Sequence, residues 1–197
     1  FKWRLPVIVL SDGVIGQMME KVVLPPFTPR RTAEEIKAQC PWATNGLGLK
    51  DRKYNFTSSL ELDAAIMEKR NQAMTEKYRK IEDEEVRYES YHADDAELLI
   101  VAYGVSARIC MSAIDRLRSE GILAGMLRPI TLWPFPEKKL AELATKCNAI
   151  LCVELSEGQM VTDVRRAVEG KTQVHFFGRS GGMLPSPKDV YEKMKEL

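Results

Sequence analysis

Four short apolar runs alternate with four helical patterns between residues 95 and 197, and this alternation limits the possible folds more than any other feature. The predicted strands are Leu98–Ala102, Ile122–Leu127, Ile150–Val153 and Val174–Phe177. The stretches that follow them repeat apolar residues every three to four positions, as helices packed on a sheet do. Strands that alternate with helices form parallel sheets with right-handed crossovers. The sequence therefore predicts a Rossmann-like α/β domain, with a mostly parallel sheet and flanking helices.

Two regions precede this domain. Residues 1–24 hold the apolar run Leu5–Leu10, typical of a strand buried on both faces of a parallel sheet. Because nothing upstream supplies neighbours for such a strand, we expect residues 1–24 to be the end of a truncated domain. Residues 25–94 combine a proline-rich stretch, a turn signal at Asn45-Gly46 and a polar helix at about 60–90. They are predicted to be an irregular linker and a long bridging helix.

Charge and hydropathy exclude some functions. The formal net charge is +1, so nucleic acid and anionic membrane surfaces are not expected partners. No apolar run reaches the roughly 20 residues that a membrane-spanning helix needs. A homo-oligomer is compatible with the apolar start of the chain, because exposed apolar patches mark association sites.

The cysteines predict buried thiols rather than a metal or redox centre. None of the four forms a Cys-x-x-Cys pair, and three lie in apolar strand or helix patterns. We therefore expect reduced cysteines and a cytoplasmic location. The two histidines are far apart in sequence, so neither a zinc site nor an iron–sulfur cluster is expected on this chain. The residues concerned are Cys40, Cys110, Cys147, Cys152, His92 and His175.

Candidate ligand-binding residues follow the predicted strands, because ligands of open α/β sheets bind beyond the carboxyl ends of the strands. The segment after the first strand contains Tyr103, Gly104 and Ser106, and it places Ser106 near a helix N-terminus. Backbone amides there could hold an anion. The simpler interpretation, which we favour, is that Ser106 is an N-cap.

Two further loops offer similar alternatives. The loop of residues 178–182, with Arg179 and Gly181, could hold a phosphate or could be a tight connector that needs glycine dihedrals; we favour the connector. Glu154 and Glu157 could be acid–base groups, although surface carboxylates are commoner. Asp12-Gly13 follows the first apolar run and suits a ligand-binding edge.

The run of residues 127–136 is a rigid connector because Pro129, Pro134 and Pro136 prevent regular pairing. Pro136 is predicted to lie at the first position of a helix. Arg128, Trp133 and Phe135 on this connector are candidates for an anion site or an interface. No set of residues forms a catalytic constellation, so these patterns alone do not name a function.

The sequence resembles the alpha-type subunit of the 2-oxoacid:ferredoxin oxidoreductases, most closely the branched-chain (2-ketoisovalerate) group. The resemblance is carried by five stretches in the family's order. The most specific part is the proline-rich run together with the segment that begins Gly158-Gln159-Met160 and continues to Asp163-Val164-Arg165. The stretches are PVIVLSDGVIGQMMEKV (6–22), ELLIVAYGVSAR (97–108), LRPITLWPFP (127–136), ELSEGQMVTDVRRAVEG (154–170) and FGRSGGMLP (177–185).

The resemblance implies a division of labour. Residues 1–24 would end a pyrimidine-binding thiamine diphosphate domain, and residues 95–197 would form a domain similar to the C-terminal domain of transketolase. The enzymes decarboxylate a 2-oxoacid, pass electrons through iron–sulfur clusters to ferredoxin and transfer the acyl group to coenzyme A. Thiamine diphosphate, Mg²⁺ and the clusters would belong to the whole complex, with none bound by this chain alone.

The implied partners are a thiamine-diphosphate-binding beta-type subunit, a gamma-type subunit and a ferredoxin-like subunit. On this interpretation the chain is a docking component with no catalytic residue of its own, and it is inactive alone. Asp12 and Gly13 would lie at the cofactor edge. Two alternatives stay open: a stand-alone Rossmann-type nucleotide- or phosphate-binding module, and an interaction protein built on the long helix. The substrate is also open, with 2-oxoglutarate and pyruvate behind 2-ketoisovalerate.

Overall fold

A computed structural model describes residues 1–44 and 55–197. The turn predicted at Asn45-Gly46 lies outside the described residues. The chain divides into two compact units, one of residues 1–18 and 76–197 and one of residues 19–75. The domain boundaries at 24/25 and 94/95 stay a prediction. No helix in the described ranges is long and apolar enough to cross a membrane.

The larger unit is built on a five-stranded sheet of order β1-β3-β2-β4-β5. The strands are β1 (Tyr88–Tyr91), β2 (Leu98–Ala102), β3 (Ala124–Pro129), β4 (Ala149–Glu154) and β5 (Gln173–Gly178). Strands β2 to β5 are mutually parallel, whereas β1 pairs antiparallel with β3. The predicted α/β fold with a mostly parallel sheet is therefore confirmed.

In the described residues the helices are α1 (Gly13–Gln17), α2 (Ala33–Gln39), α3 (Ala64–Glu84), α4 (Gly104–Ser119), α5 (Glu137–Leu143), α6 (Met160–Val168) and α7 (Pro187–Lys195). Of these, α4 to α7 cover the two faces of the sheet. Successive side chains of a strand point to opposite faces. Leu99 and Val101 of β2 accordingly pack with α5 and α6, whereas Ile100 and Ala102 pack with α4 and α7.

Local sequence explains where these helices begin and end. Ser186 caps α7 through the predicted capping box, in which its hydroxyl accepts from the Asp189 amide at 3.1 Å and Asp189 accepts from the Ser186 amide at 2.8 Å. Gly121 follows α4 with a φ of +83°, as a helix stop requires. Pro136 is the N-cap of α5 rather than its first residue.

Three sequence predictions need correction. The run Leu5–Leu10 forms no strand, because none of the described strands pairs with it, and Val7 to Leu10 are exposed. The polar helix is shorter than residues 60–90, since α3 ends at Glu84. The residues after it form β1, which the sequence analysis missed because this edge strand is short, polar and mostly exposed.

The smaller unit, residues 19–75, holds α2 and the first half of α3. Thr32 and Glu35 form a capping box at the start of α2. Val22, Val23, Leu24 and Phe27 are all exposed. The described residues of this unit do not line the candidate site described next.

Candidate functional site

A cleft of about 340 Å³ lies at the carboxyl edge of the parallel strands. It joins the turn around Asp12 to the loop that follows β5. Two segments that the sequence analysis singled out separately therefore meet in one place. The lining residues are Asp12, Gly13, Val14, Gln17, Leu155, Arg179, Ser180, Gly181, Gly182, Met183 and Leu184.

Asp12 caps two helices at once. Its Oδ1 accepts from the Ile15 amide at 2.8 Å, which makes Asp12 the N-cap of α1, and its Oδ2 accepts from the Val105 amide at 3.2 Å, in the first turn of α4. Gly104 permits this approach, because it has a φ of +59° and a Cβ there would lie 2.9 Å from Oδ2. A carboxylate of the chain thus fills the α4 N-terminus, where the sequence analysis had placed a possible external anion.

The structure also corrects the role of Ser106. Helix α4 starts at Gly104 with Tyr103 as its N-cap, so Ser106 lies inside the first turn and is buried. The interpretation of Ser106 as an N-cap is wrong. Tyr103 is half-buried, and its pKa is raised by burial and by the neighbouring Glu154, Cys152 and Asp12. This tyrosine therefore stays protonated in the physiological range.

Glu154 lies at the carboxyl edge of the sheet, and its role there was not recognised from the sequence. It ends β4 and is only 1% exposed, so its interpretation as a surface carboxylate is wrong. Its Oε2 accepts from the amides of Gln159 (3.1 Å) and Met160 (2.8 Å), and its Oε1 accepts from the amide of Val161 (2.8 Å). A buried carboxylate thus satisfies the N-terminal amides of α6, which has no side-chain cap at Gln159.

Two further donors complete the Glu154 cluster. The Ser156 hydroxyl donates to Oε2 at 3.0 Å, and the Cys152 thiol donates to Oε1 at 3.5 Å. Burial and the Glu154 charge raise the pKa of the Cys152 thiol far above its usual range. The thiol is consequently an inert hydrogen-bond donor and not a nucleophile. The cluster is a rigid anchor for the loop between β4 and α6.

The loop after β5 is tied to that anchor. The Arg179 amide donates to the Glu154 carbonyl oxygen at 3.1 Å, and the Ser180 hydroxyl donates to the exposed carboxylate of Glu157. Gly181 and Gly182 have φ values of +64° and +85°, so the loop needs glycine at both positions. This geometry agrees with a tight connector, and it also brings Arg179 and Gly181 to the cleft.

The connector of residues 127–136 does not line the cleft formed by the described residues. Arg128 pairs with Glu89 at 2.8 Å, Phe135 is buried in the core beneath α5 and α6, and Trp133 is 54% exposed. The Trp133 ring meets the edge of the Tyr78 ring at a centroid distance of 5.5 Å. Their candidate roles in an anion site or an interface stay predictions, and these residues are separate from the cleft.

In the described ranges, no group of three His, Cys, Asp or Glu side chains could hold a metal ion. Cys110 lies on the sheet face covered by α4 and α7, whereas Cys147 and Cys152 lie on the opposite face. Burial raises the pKa of the Cys110 thiol to about 12. These three buried cysteines therefore do not fit the requirements of an iron–sulfur cluster.

Comparison with known proteins gives consistent results. Residues 96–190 match the family described as pyruvate:ferredoxin oxidoreductase core domain II. The chain is 43% identical over its whole length to the ketoisovalerate oxidoreductase subunit VorB of Methanothermobacter thermautotrophicus and 40% identical to that of Methanothermobacter marburgensis. It is 28% identical over 98% of its length to the 2-oxoglutarate synthase subunit KorA of Methanothermobacter marburgensis, of which it covers 56%.

The chain spans about half the length of the curated relatives it matches, 53% for both VorB proteins. Among solved structures, the 2-oxoglutarate:ferredoxin oxidoreductase of Magnetococcus marinus, which has 2-oxoglutarate, coenzyme A and succinyl-CoA bound, aligns with a TM-score of 0.58. This alignment covers 69% of the chain and 24% of that protein, at 19% identity. It shows a shared fold, and the likeness to the transketolase C-terminal domain stays a prediction.

Proposed function

This chain belongs to the family of 2-oxoacid:ferredoxin oxidoreductase subunits, and on that premise we propose that it is part of an enzyme that oxidatively decarboxylates a 2-oxoacid to an acyl-CoA and reduces ferredoxin. The substrate we propose is 2-ketoisovalerate. The observation that carries the proposal is the 43% identity to a ketoisovalerate oxidoreductase subunit over 196 residues. Identity to the 2-oxoglutarate synthase subunit is lower, at 28%.

We assign this chain a docking role. Among the described residues, Asp12 is the one carboxylate that lines the cleft, and both of its oxygens accept backbone amides, so no acid–base pair is poised there for chemistry. Thiamine diphosphate, Mg²⁺ and iron–sulfur clusters would be held by other parts of a cytoplasmic complex. When bound there, they supply the carbanion and electron-transfer chemistry, while this chain provides a rigid surface. The partners we propose are thiamine-diphosphate-binding, gamma-type and ferredoxin-like subunits.

The turn at Asp12 defines how this docking would work. The apolar residues 7–10 lead into Asp12, and Asp12 fixes the turn to the N-terminus of α4. We propose that residues 1–24 belong to a neighbouring α/β domain, in which residues 5–10 would gain strand partners. Asp12 and Gly13 would then lie where that domain meets the domain of residues 95–197.

The test uses the native complex, with the complete subunit that contains this chain. Viologen-dye reduction is measured with 2-ketoisovalerate, 2-oxoglutarate and pyruvate in the presence of coenzyme A. We expect the highest kcat/KM with 2-ketoisovalerate and no reduction by the 197-residue chain alone. A preference for 2-oxoglutarate would contradict the substrate assignment, and a complete complex inactive with every 2-oxoacid would overturn the proposal.

A further inference from the structure

The cleft at the carboxyl edge carries a positive charge that forms no close ion pair in the described parts of the chain. Arg179 lines the cleft, and its guanidinium forms no ion pair within 4.0 Å in the described parts of the chain, although its charge acts on the Asp189 carboxyl from further away. Most other arginines in the larger unit have a defined partner, such as Arg118 with Asp95 and Arg128 with Glu89. Arg179 is nevertheless half-buried, so the chain has placed it against the loop rather than in open solvent.

The acids near Arg179 are already engaged. Asp12 accepts two backbone amides, Glu157 accepts the Ser180 hydroxyl, and Asp189 accepts the Ser186 amide at 2.8 Å. Each of these carboxylates has hydrogen-bond donors of its own. The Arg179 charge also lowers the pKa of Asp189, but from beyond ion-pair distance, so the hydrogen-bond donors of the guanidinium stay available to a ligand.

Backbone donors lie beside this charge. The amides of Ser180, Gly181 and Gly182 donate to no acceptor within residues 1–44 and 55–197, although the next amide, that of Met183, donates to the Ser180 carbonyl oxygen at 3.2 Å. Gly181 and Gly182 are exposed, and a Cβ at either would meet no atom within 4 Å. The bare backbone is thus open to an approaching group. Consecutive amides in a turn, next to an arginine, are a common form of anion site.

We infer that the loop Gly178–Gly182 is a binding site for a phosphate group, held by the Arg179 guanidinium and by the amides of Ser180 to Gly182. The ligand class is a phosphate-bearing small molecule. The phosphate would enter the cleft of about 340 Å³, opposite Gly13 and Gln17. A tetrahedral phosphate suits this set because it offers oxygens to a bidentate guanidinium and to several amides at once, whereas a carboxylate has two.

The site shares its cleft with the proposed junction at Asp12 and Gly13, but the groups proposed to bind phosphate lie on the loop after β5. The α4 N-terminus is already filled by the Asp12 carboxylate. Binding can therefore be measured without any enzymatic turnover. A failure to bind phosphate would leave the oxidoreductase assignment untouched, and an inactive complex would leave the binding result untouched.

Two titrations with inorganic phosphate test the inference. Calorimetry measures binding to the complete subunit in its native complex, and amide NMR measures binding to the 197-residue chain. We expect saturable binding with shifts at Gly181 and Gly182, and weaker binding of acetate at equal ionic strength. Arg179→Gln should weaken phosphate binding by about tenfold or more, since a hydrogen bond between charged groups contributes about that factor. Arg166→Gln is the matched control, because it removes the same charge from an exposed arginine on α6.

Specific outcomes overturn the inference. Equal losses in the Arg179 and Arg166 variants would mean only a general charge effect. Absence of saturation in the wild-type chain would exclude the site, and tighter binding of acetate than of phosphate would exclude the phosphate class. Circular dichroism of both variants checks that each is folded, and Arg179→Lys should recover part of the affinity because it restores the charge without the bidentate geometry.

Discussion

Strand β2 and residues 7–10 have similar sequences but opposite environments. Leu99 to Ala102 are 0% exposed between two layers of helices, whereas Val9 is 90% exposed. The difference lies in the neighbours, since β2 pairs with β3 and β4, and residues 7–10 pair with no described strand. An apolar run therefore predicts that a segment needs to be covered, but the covering surface depends on the rest of the structure.

The same contrast holds for the two acids that cap helices. Glu154 is enclosed and accepts three amides of one helix, whereas Asp12 is shared between two helices at an open turn. Glu154 fixes the interior of the domain. Asp12 instead joins the N-terminal segment to it. Each prediction below changes one member of such a pair and leaves the matched member intact.

The largest effect on the free energy of unfolding is expected from a valine-to-alanine substitution in β2, and the same substitution in residues 7–10 is its control. Val101→Ala in β2 removes two buried methyl groups and leaves a cavity, so it should lower the free energy of unfolding by about 3 kcal/mol. Val9→Ala should change it by less than about 0.5 kcal/mol, because the side chain is exposed. Denaturant unfolding of the 197-residue chain measures both. Similar losses in the two variants would contradict the exposed placement of residues 7–10.

A smaller but clear effect is expected at the buried acid. Glu154→Gln replaces one acceptor oxygen by an NH₂ group that faces amide donors, so we expect a loss of about 2 kcal/mol in the free energy of unfolding. Glu157→Gln makes the same change at an exposed position and should cost less than about 0.5 kcal/mol. Hydrogen exchange should accelerate at Gln159, Met160 and Val161 in the first variant alone. Unchanged protection there would show that these amides do not depend on the carboxylate.

These residues also show what sequence can reveal of this fold. The α/β domain was predictable because periodicities of two and of about 3.6 residues are local properties, and they gave four strands within two residues of their observed ends. Strand β1 was missed because Tyr88-Glu89-Ser90-Tyr91 carries no apolar face. The run of residues 5–10 was misjudged because burial is a tertiary property.

The candidate site was predictable only in parts. Asp12, Gly104 and Arg179 each stood out from their local patterns, but their meeting around one edge depends on the order of the strands. Glu154 was not recognised as a buried cap, because a carboxylate after a strand is more often at the surface. The usable signal was its position between an apolar strand and a helix whose first residues lack a Ser, Thr, Asp or Asn cap.

Substitution of Asp12 at the open turn should lower the free energy of unfolding by less than substitution of the buried Glu154. Asp12→Ala removes the cap of α1 and the negative charge at the α4 N-terminus, so we expect a loss of about 1 to 1.5 kcal/mol. Asp12→Asn keeps one capping oxygen but loses the charge and turns an NH₂ group toward one of the two amides, so it should cost roughly 1 kcal/mol. Exchange of the Val105 amide and proteolysis within residues 1–18 report the release of the segment. Equal protection in wild type and Asp12→Ala would contradict the tethering role.

The smallest effect concerns the other attachment of the N-terminal segment. Glu85 accepts from Lys2 at 2.9 Å and from the Trp3 indole at 2.8 Å, and these bonds lower the pKa of its carboxyl from 4.5 to about 2. A depressed carboxyl pKa stabilises the attachment above pH 4.5, and this contribution is lost as the pH falls toward 2. The indole proton resonance of Trp3 should therefore stay constant from neutral pH to about 4 and move only below it.

Glu85→Gln should remove this pH dependence, because the amide keeps an acceptor oxygen but does not titrate. Glu84→Gln is the control, since Glu84 binds Lys2 but not the Trp3 indole. A midpoint near 4.5 in the wild-type chain would show that Lys2 and Trp3 do not hold the Glu85 carboxyl. The N-terminal segment would then lack this attachment, and the contrast with β2 would be larger than the structure indicates.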